Sequence, residues 1–153
     1  MKQKIGLTIG KFAPLHKGHE FLIETGLKEM DRFVVVVYET DKIDVSIERR
    51  AGWIRKLFPE VEIRYAINPP SQYGLDEESV KVQMEYLVPL ISDLGVTHFY
   101  SSEEYGRCVA DYLGIIDRRV DSKRVKVPVS GSLIRENKKK YSSLISDVVL
   151  RDL

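Results

Sequence analysis

Two of the chain's three histidines, His16 and His19, stand three residues apart in the segment Gly10-Lys11-Phe12-Ala13-Pro14-Leu15-His16-Lys17-Gly18-His19. Imidazoles at that spacing on the first turn of a helix lie near one face and can approach one anion together. A helix beginning there adds free backbone N–H groups and the positive end of its dipole, which favour a phosphate at the same place. Lys11 contributes a fixed cation, Gly18 leaves the backbone between the imidazoles uncrowded, and Pro14 stiffens the loop so that less order is lost on binding. Together they point to a phosphate site. Two plainer readings stand beside this one. A histidine at a helix start often serves only as a cap or a solvated side chain. Two histidines without a third His or Cys nearby also form an incomplete zinc set. No metal site built from protein side chains is expected.

The elements that must position these residues are legible in the pattern of apolar residues. Lys4 to Ile9 reads as a strand with Gly6 at a close-approach position, and an amphipathic helix follows from Lys17 to Met30. Phe33 to Tyr38 is a β-branched run of the kind shown by a parallel strand covered on both faces. A helix from Ser46, with Ile47, Ile54, Leu57 and Phe58 on one face, ends at Pro59 before a strand over Val61 to Ile67. The turn-rich stretch Asn68 to Gly74, a candidate wall on the substrate side, leads to a helix over about Asp76 to Leu94 despite Pro89. A strand over Thr97 to Tyr100, a helix over Glu103 to Leu113 closed by Gly114, and extended stretches at Ile115 to Val120 and Val125 to Val129 follow. The chain closes with a helix after Ser130-Gly131-Ser132 running to about Lys140, and an amphipathic stretch from Tyr141 to Leu150.

That alternation predicts one α/β domain over residues 1–153: a doubly wound, Rossmann-like parallel sheet with helices on both faces. In such sheets the ligand sits beyond the carboxyl ends of the strands, so the His16–His19 loop falls on the binding edge.

Composition narrows the classes. Lys plus Arg number 24 against 23 Asp plus Glu, a formal charge of +1 that supplies no global field for nucleic acid or a membrane surface. The longest apolar stretch is far too short to span a membrane and no signal peptide is evident, so a cytoplasmic protein is expected. Cys108 is the only cysteine, which excludes an intramolecular disulfide and suits a small packed side chain.

A second constellation lies near the other end. Ser130, Gly131 and Ser132 place hydroxyls and a glycine at a helix start, with Arg135 one turn further in, where its fork can grip phosphate oxygens. The plain alternative is an N-cap, a turn residue and a solvated arginine.

Taken together, Gly10 to His19 resembles the GxFxPxHxGH signature of the nucleotidyltransferase superfamily, and Ser130 to Arg135 resembles its second signature, SGTxxR. The ordered series Tyr100-Ser101-Ser102-Glu103-Glu104, Tyr112-Leu113-Gly114-Ile115, Val120-Asp121-Ser122-Lys123-Arg124 and Ser130 to Asn137 is most similar to the nicotinamide mononucleotide (NMN) adenylyltransferase domain of NadR-type proteins. The resemblance implies transfer of AMP from ATP to NMN, giving NAD and pyrophosphate with Mg²⁺, and no covalent intermediate. It implies that His16 and His19 hold the α- and β-phosphates and that Lys11 and Arg135 take the β- and γ-phosphates. Gly10, Phe12 and Gly18 would line the nucleotide cleft, and Ser130, Gly131 and Ser132 would offer it donors.

For the acceptor it implies an aromatic stacked on the nicotinamide ring, for which Trp53 is the candidate, and Arg50 on the same helix is the polar candidate near the acceptor phosphate. The alternatives are a solvated arginine and a core tryptophan. Ser101, Ser102 and Glu103 follow a strand and so lie on the same edge. Another phosphorylated acceptor, such as phosphopantetheine or a polyol or sugar phosphate with CTP, stays open, as does a non-catalytic domain that senses NAD or ATP. Partners are expected to be small molecules, with homo-oligomer formation left open.

The sequence departs from the NadR-type pattern at Ser132, where many members have Thr. It departs again at Lys138-Lys139-Lys140, which reads as a solvated face, and in a shorter stretch over Asn68 to Glu85. The sequence carries neither a helix-turn-helix ahead of Met1 nor a P-loop after the second motif, so a stand-alone transferase or an excised domain is expected.

Overall fold

The computed structural model describes residues 2–121 and 123–153. Five strands, β1 (Ile5–Gly10), β2 (Arg32–Tyr38), β3 (Glu62–Ala66), β4 (His98–Ser101) and β5 (Ile116–Arg119), form one sheet in the order β3-β2-β1-β4-β5. Every pairing is parallel, with Leu7 opposite Val34 on one side and Phe99 on the other. This is the doubly wound order, and its reversal point lies between β1 and β4.

The β-branched run of β2 explains its central place. Phe33, Val35 and Val37 pack on one face with residues of α1 (Lys17–Glu29) and α2 (Ile47–Leu57), whereas Val34, Val36 and Tyr38 pack on the other with α3 (Glu77–Ile91) and α4 (Tyr105–Leu113). Alternation with period two on a strand buried on both sides produces these two cores. Gly26 lets α1 lie close to the sheet, since a Cβ there would stand 2.1 Å from the Phe33 ring. Ser46 caps α2 by accepting from Arg49 N–H, and Gly114 closes α4 in the left-handed region. Among the described residues no helix is long and apolar enough to cross a membrane.

The structure corrects the reading of the last thirty residues. Val125 to Val129 is not extended sheet: the Asp121 carboxylate accepts from the backbone N–H groups of Val125, Lys126 and Val127 and curls the chain into a loop. The helix after Ser130, α5 (Gly131–Glu136), stops well short of Lys140, because Asn137 turns the chain and its Oδ1 accepts from Lys140 N–H. The stretch beyond splits into a 3-10 turn (Ser142–Leu144) and α6 (Asp147–Leu150). Ser146, which starts α6, donates its hydroxyl to Glu20 on α1 at 2.8 Å and so ties this tail to the first helix.

Candidate active site

The loop from Lys11 to His16 leaves β1 at the sheet's reversal point and delivers His16 as the N-cap of α1. His16 Nδ1 accepts from the backbone N–H of Gly18 at 3.1 Å and of His19 at 3.3 Å, while His19 Nδ1 accepts from His16 N–H at 3.2 Å. This is a capping box built from two imidazoles. The rings stack with centroids 3.6 Å apart and planes 19° from parallel. The cap reading is therefore correct, and it fixes the tautomer: with Nδ1 accepting, each ring carries its proton on Nε2 and has only that N–H to donate outward.

Burial keeps both rings neutral. His16 is 2% exposed, and desolvation, reinforced by the nearby Arg124 guanidinium, lowers its pKa to about 4. His19 keeps some exposed area but is densely surrounded, and desolvation, then His16 and Arg124, moves it the same way. Gly18 makes the stack feasible, for a Cβ there would stand 2.8 Å from His16 Cε1.

The second motif packs directly on the first across 122 residues of sequence. Arg135 donates from Nη1 to the Ala13 carbonyl at 2.8 Å and from Nη2 to Ser132 Oγ at 3.3 Å. Ser130 Oγ accepts from Leu133 N–H as the cap of α5, and a Cβ on Gly131 would crowd Arg135 Nη1 at 3.2 Å. Lys11 lies beside Lys42 and Arg135. Desolvation, then Lys42, then Arg135 push its pKa below the usual lysine value, with Asp41 opposing. Among the described residues no carboxylate pairs with Lys11, Lys42 or Arg135. Three cations clustered beside the start of α1, with Asp41 acting on Lys11 only from beyond 4 Å, favour a multiply charged anion.

A cleft of about 500 Å³ opens between Lys42, Asp44, Arg135, Lys138 and Asp152, next to Pro14 but without Lys11, His16 or His19 in its lining. A second, of about 560 Å³, is lined by Arg32, Glu62 and Glu24 at the amino ends of β2 and β3. That second cleft lies on the edge opposite the one where doubly wound sheets bind ligands, whereas the first adjoins the loop that carries Pro14.

Three sequence expectations are corrected. Trp53 is 1% exposed, packed in the core, and its Nε1 donates to Asp152 at 2.7 Å, so no face is left for an acceptor ring. Arg50 is likewise 1% exposed, and its guanidinium donates to the carbonyls of Val45, Lys11 and Tyr38 rather than to a ligand phosphate. Phe12 is 4% exposed and sets its ring edge-on against His19 at 4.9 Å, supporting the imidazole instead of lining the nucleotide cleft. Gly10 sits beneath that same ring.

Ser101, Ser102 and Glu103 do lie at the carboxyl edge, after β4. The Ser101 hydroxyl donates to the Glu103 carbonyl, and Glu103 pairs with Arg124 at 3.4 Å. Ser122, within the motif that carries Arg124, lies outside the described residues.

Sequence reasoning missed Lys42 and Tyr105, whereas Tyr73 falls in the Asn68–Gly74 loop expected to wall the substrate side. Lys42 follows β2, which pairs with β1, so adjacency of the two carboxyl-end loops was the signal that could have found it. Tyr73, 65% exposed in the loop before α3, meets Tyr105 of α4 with ring centroids 5.1 Å apart. The Tyr38 hydroxyl nearby is buried without a partner among the described residues. No three His, Cys, Asp or Glu side chains among the described residues converge as a metal set.

No protein-family model matches the chain. It is 29% identical over 161 residues to the trifunctional NAD biosynthesis/regulator protein NadR of Escherichia coli, covering 92% of this chain and 38% of NadR. It is 39% identical over 57 residues to the phosphopantetheine adenylyltransferase of Fusobacterium nucleatum, covering 36% of this chain and 35% of that protein. The chain thus spans well under half the length of these relatives.

Among solved structures, NadR protein in complex with NAD and AMP-PNP superposes with a TM-score of 0.68 at 22% identity, over 96% of this chain and 46% of that one. A bifunctional NMN adenylyltransferase/ADP ribose pyrophosphatase from Francisella tularensis, complexed with AMP and a manganese ion, gives 0.62 at 17% identity, over 97% and 44%. At these identities the likeness shows the fold. By sequence the chain is homologous to NadR over 92% of its length and to the phosphopantetheine adenylyltransferase over 36% of it.

Proposed function

We propose that the chain transfers AMP from ATP to NMN, forming NAD and pyrophosphate, with residues 1–153 acting as one catalytic unit. The observation that carries this reading is one loop that holds two neutral, Nε2-protonated histidines and packs against Arg135, with Lys11 and Lys42 beside it and no carboxylate within 4 Å of the three cations among the described residues. In it, a phosphate oxygen of the acceptor attacks the α-phosphorus in line, the bond from the α-phosphorus to the bridging oxygen breaks, and pyrophosphate leaves. The nucleophile is already an anion, so no general base is required. His16 and His19 donate to oxygens on which charge grows, and their locked rings need no reorganisation when it does. Lys11, Lys42 and Arg135 hold the departing β- and γ-phosphates, Arg135 by its fork. Ser130, Gly131 and Ser132 bring Arg135 onto the loop. Mg²⁺, carried by the triphosphate, would neutralise part of its charge.

NMN as acceptor is supported by the likeness to NadR over 92% of the chain. The exposed Tyr73 ring beside Tyr105 supplies an aromatic face at the right edge, in the role expected of Trp53. A phosphopantetheine acceptor is the second reading, favoured by the 39% identity over 57 residues. Pyrophosphate release measured with ATP or CTP against NMN, nicotinic acid mononucleotide, 4′-phosphopantetheine and glycerol 3-phosphate separates them. On our reading NMN with ATP is the fastest pair, and Tyr73→Ala raises the KM for NMN while leaving that for ATP unchanged. Faster turnover of 4′-phosphopantetheine would overturn the choice of acceptor. ATP binding without turnover of any acceptor would favour a sensor.

A further inference from the structure

Arg50 is the most deeply buried charged side chain among the described residues, and the transfer chemistry does not use it. Among those residues no carboxylate lies within 4 Å of it. Its partners are three carbonyls: Val45 from Nε at 3.1 Å, Tyr38 from Nη1 at 3.0 Å, and Lys11, also from Nη1. Glu39 and Glu48 act on it only from beyond that distance, and a buried guanidinium without a direct ion pair is expensive, so an apolar side chain of similar volume would serve stability as well or better.

The three carbonyls belong to three segments of the ligand edge. Lys11 begins the loop after β1, Tyr38 ends β2, and Val45 closes the loop that carries Lys42. Next to Lys11, Phe12 has φ 51°, a left-handed conformation that a bulky residue keeps only when its surroundings over-determine it. Arg50 holds the carbonyl just before Phe12, and Arg135 holds that of Ala13 just after it. The planar fork of arginine is suited to fixing several acceptors at once, which an ammonium group on a flexible stem is not.

We propose that Arg50 is a positioning residue of the triphosphate subsite, locking the loops of Lys11 and Lys42 together so that both ammonium groups face one anion. Its consequence for turnover rests on the nucleotidyl-transfer reading above, but its first readout is nucleotide binding.

The test compares Arg50→Lys, which keeps the charge and loses the fork, with Arg50→Met, which keeps the volume. Arg49→Met, an exposed neighbour paired with Asp152, controls for loss of charge on the same helix. Far-UV circular dichroism and thermal melts establish folding, and then dissociation constants are measured for ATP and for adenosine. Both Arg50 variants are expected to fold and to bind ATP about 10- to 100-fold more weakly, the scale of a displacement near 1 Å at a binding group. Adenosine binding stays unchanged, and Arg49→Met matches wild type. In turnover, kcat/KM for ATP falls in both Arg50 variants while KM for the acceptor holds.

The proposal is overturned if folded Arg50→Lys binds ATP as wild type does, if ATP and adenosine weaken together, or if neither variant folds. Wild-type protein that binds ATP yet turns over no acceptor would sink the nucleotidyl-transfer reading instead, and the comparison of ATP with adenosine would still judge Arg50.

Discussion

Replacing Gly18 with alanine separates the catalytic geometry of the histidine pair from the stability of the helix that carries it. A methyl group at this position stands 2.8 Å from His16 Cε1 and 2.9 Å from Nδ1. The ring cannot simply retreat, because it is buried and already stacked on His19 at 3.6 Å. Relieving the overlap requires the imidazole or the first helical turn to move by roughly half an ångström. The stability terms nearly cancel. Alanine is better than glycine in a helix by about 0.5–1 kcal/mol, and loosening the cap bonds from Gly18 and His19 N–H costs about 1 kcal/mol. The melting temperature should therefore stay within about 4 °C of wild type for a domain of this size. Turnover should not: a displaced Nε2–H donor costs on the order of 10- to 100-fold in kcat. Steady-state pyrophosphate release at saturating ATP and acceptor, run beside a thermal melt, reads both. Wild-type kcat in a folded Gly18→Ala protein would refute the claim that the stacked pair acts through fixed geometry.

His19→Ala, which removes one of the two Nε2–H donors outright, should lower kcat by about 10²- to 10³-fold while circular dichroism stays native; a loss below tenfold would remove His19 from the transition state. Trp53→Phe should lower stability by about 1–3 kcal/mol through the lost Asp152 bond and volume and leave the acceptor KM alone. A raised KM with an unchanged melt would return Trp53 to the acceptor site. For pH, the buried His16 has its pKa lowered from 6.5 to about 4, so between those values the unfolded chain takes up a proton that the native protein does not. Stability is then complete above pH 6.5 and falls as the pH drops toward 4, by about 3 kcal/mol from this group. Denaturant midpoints across that range should show the loss, and His16→Asn should reduce it while leaving the share of His19, whose pKa moves the same way; an unchanged slope contradicts the assignment.

How much was legible in the sequence follows from the range of the interactions involved. The β-branched run of β2 and the helices flanking it follow from local pattern, because burial on both faces dictates residue type at every position. The pairing of the two motifs was legible only as a resemblance, since the contact between Arg135 and Ala13 joins residues 122 apart. Residue type misled at Trp53 and Arg50. An aromatic and a cation on a helix near the edge looked like ligand groups, but the tail folding back to place Asp152 on Trp53, and the three carbonyls that meet at Arg50, are tertiary facts. The tail itself was misread because Asp121 and Asn137 turn the chain with side-chain bonds that compete with sheet and helix. Lys42 lies on a loop without motif spacing, and only the strand order brings it to the site.

The central claim is that the stacked histidines and the unpaired cations promote transfer of AMP to a phosphorylated acceptor. Its most direct test is incubation of the purified chain with ATP, Mg²⁺ and NMN, following NAD and pyrophosphate together by chromatography and a coupled phosphate assay. Equimolar NAD and pyrophosphate, lost in His19→Ala, is the result predicted. Absence of both products above a control without protein, under conditions where ATP binds, contradicts it.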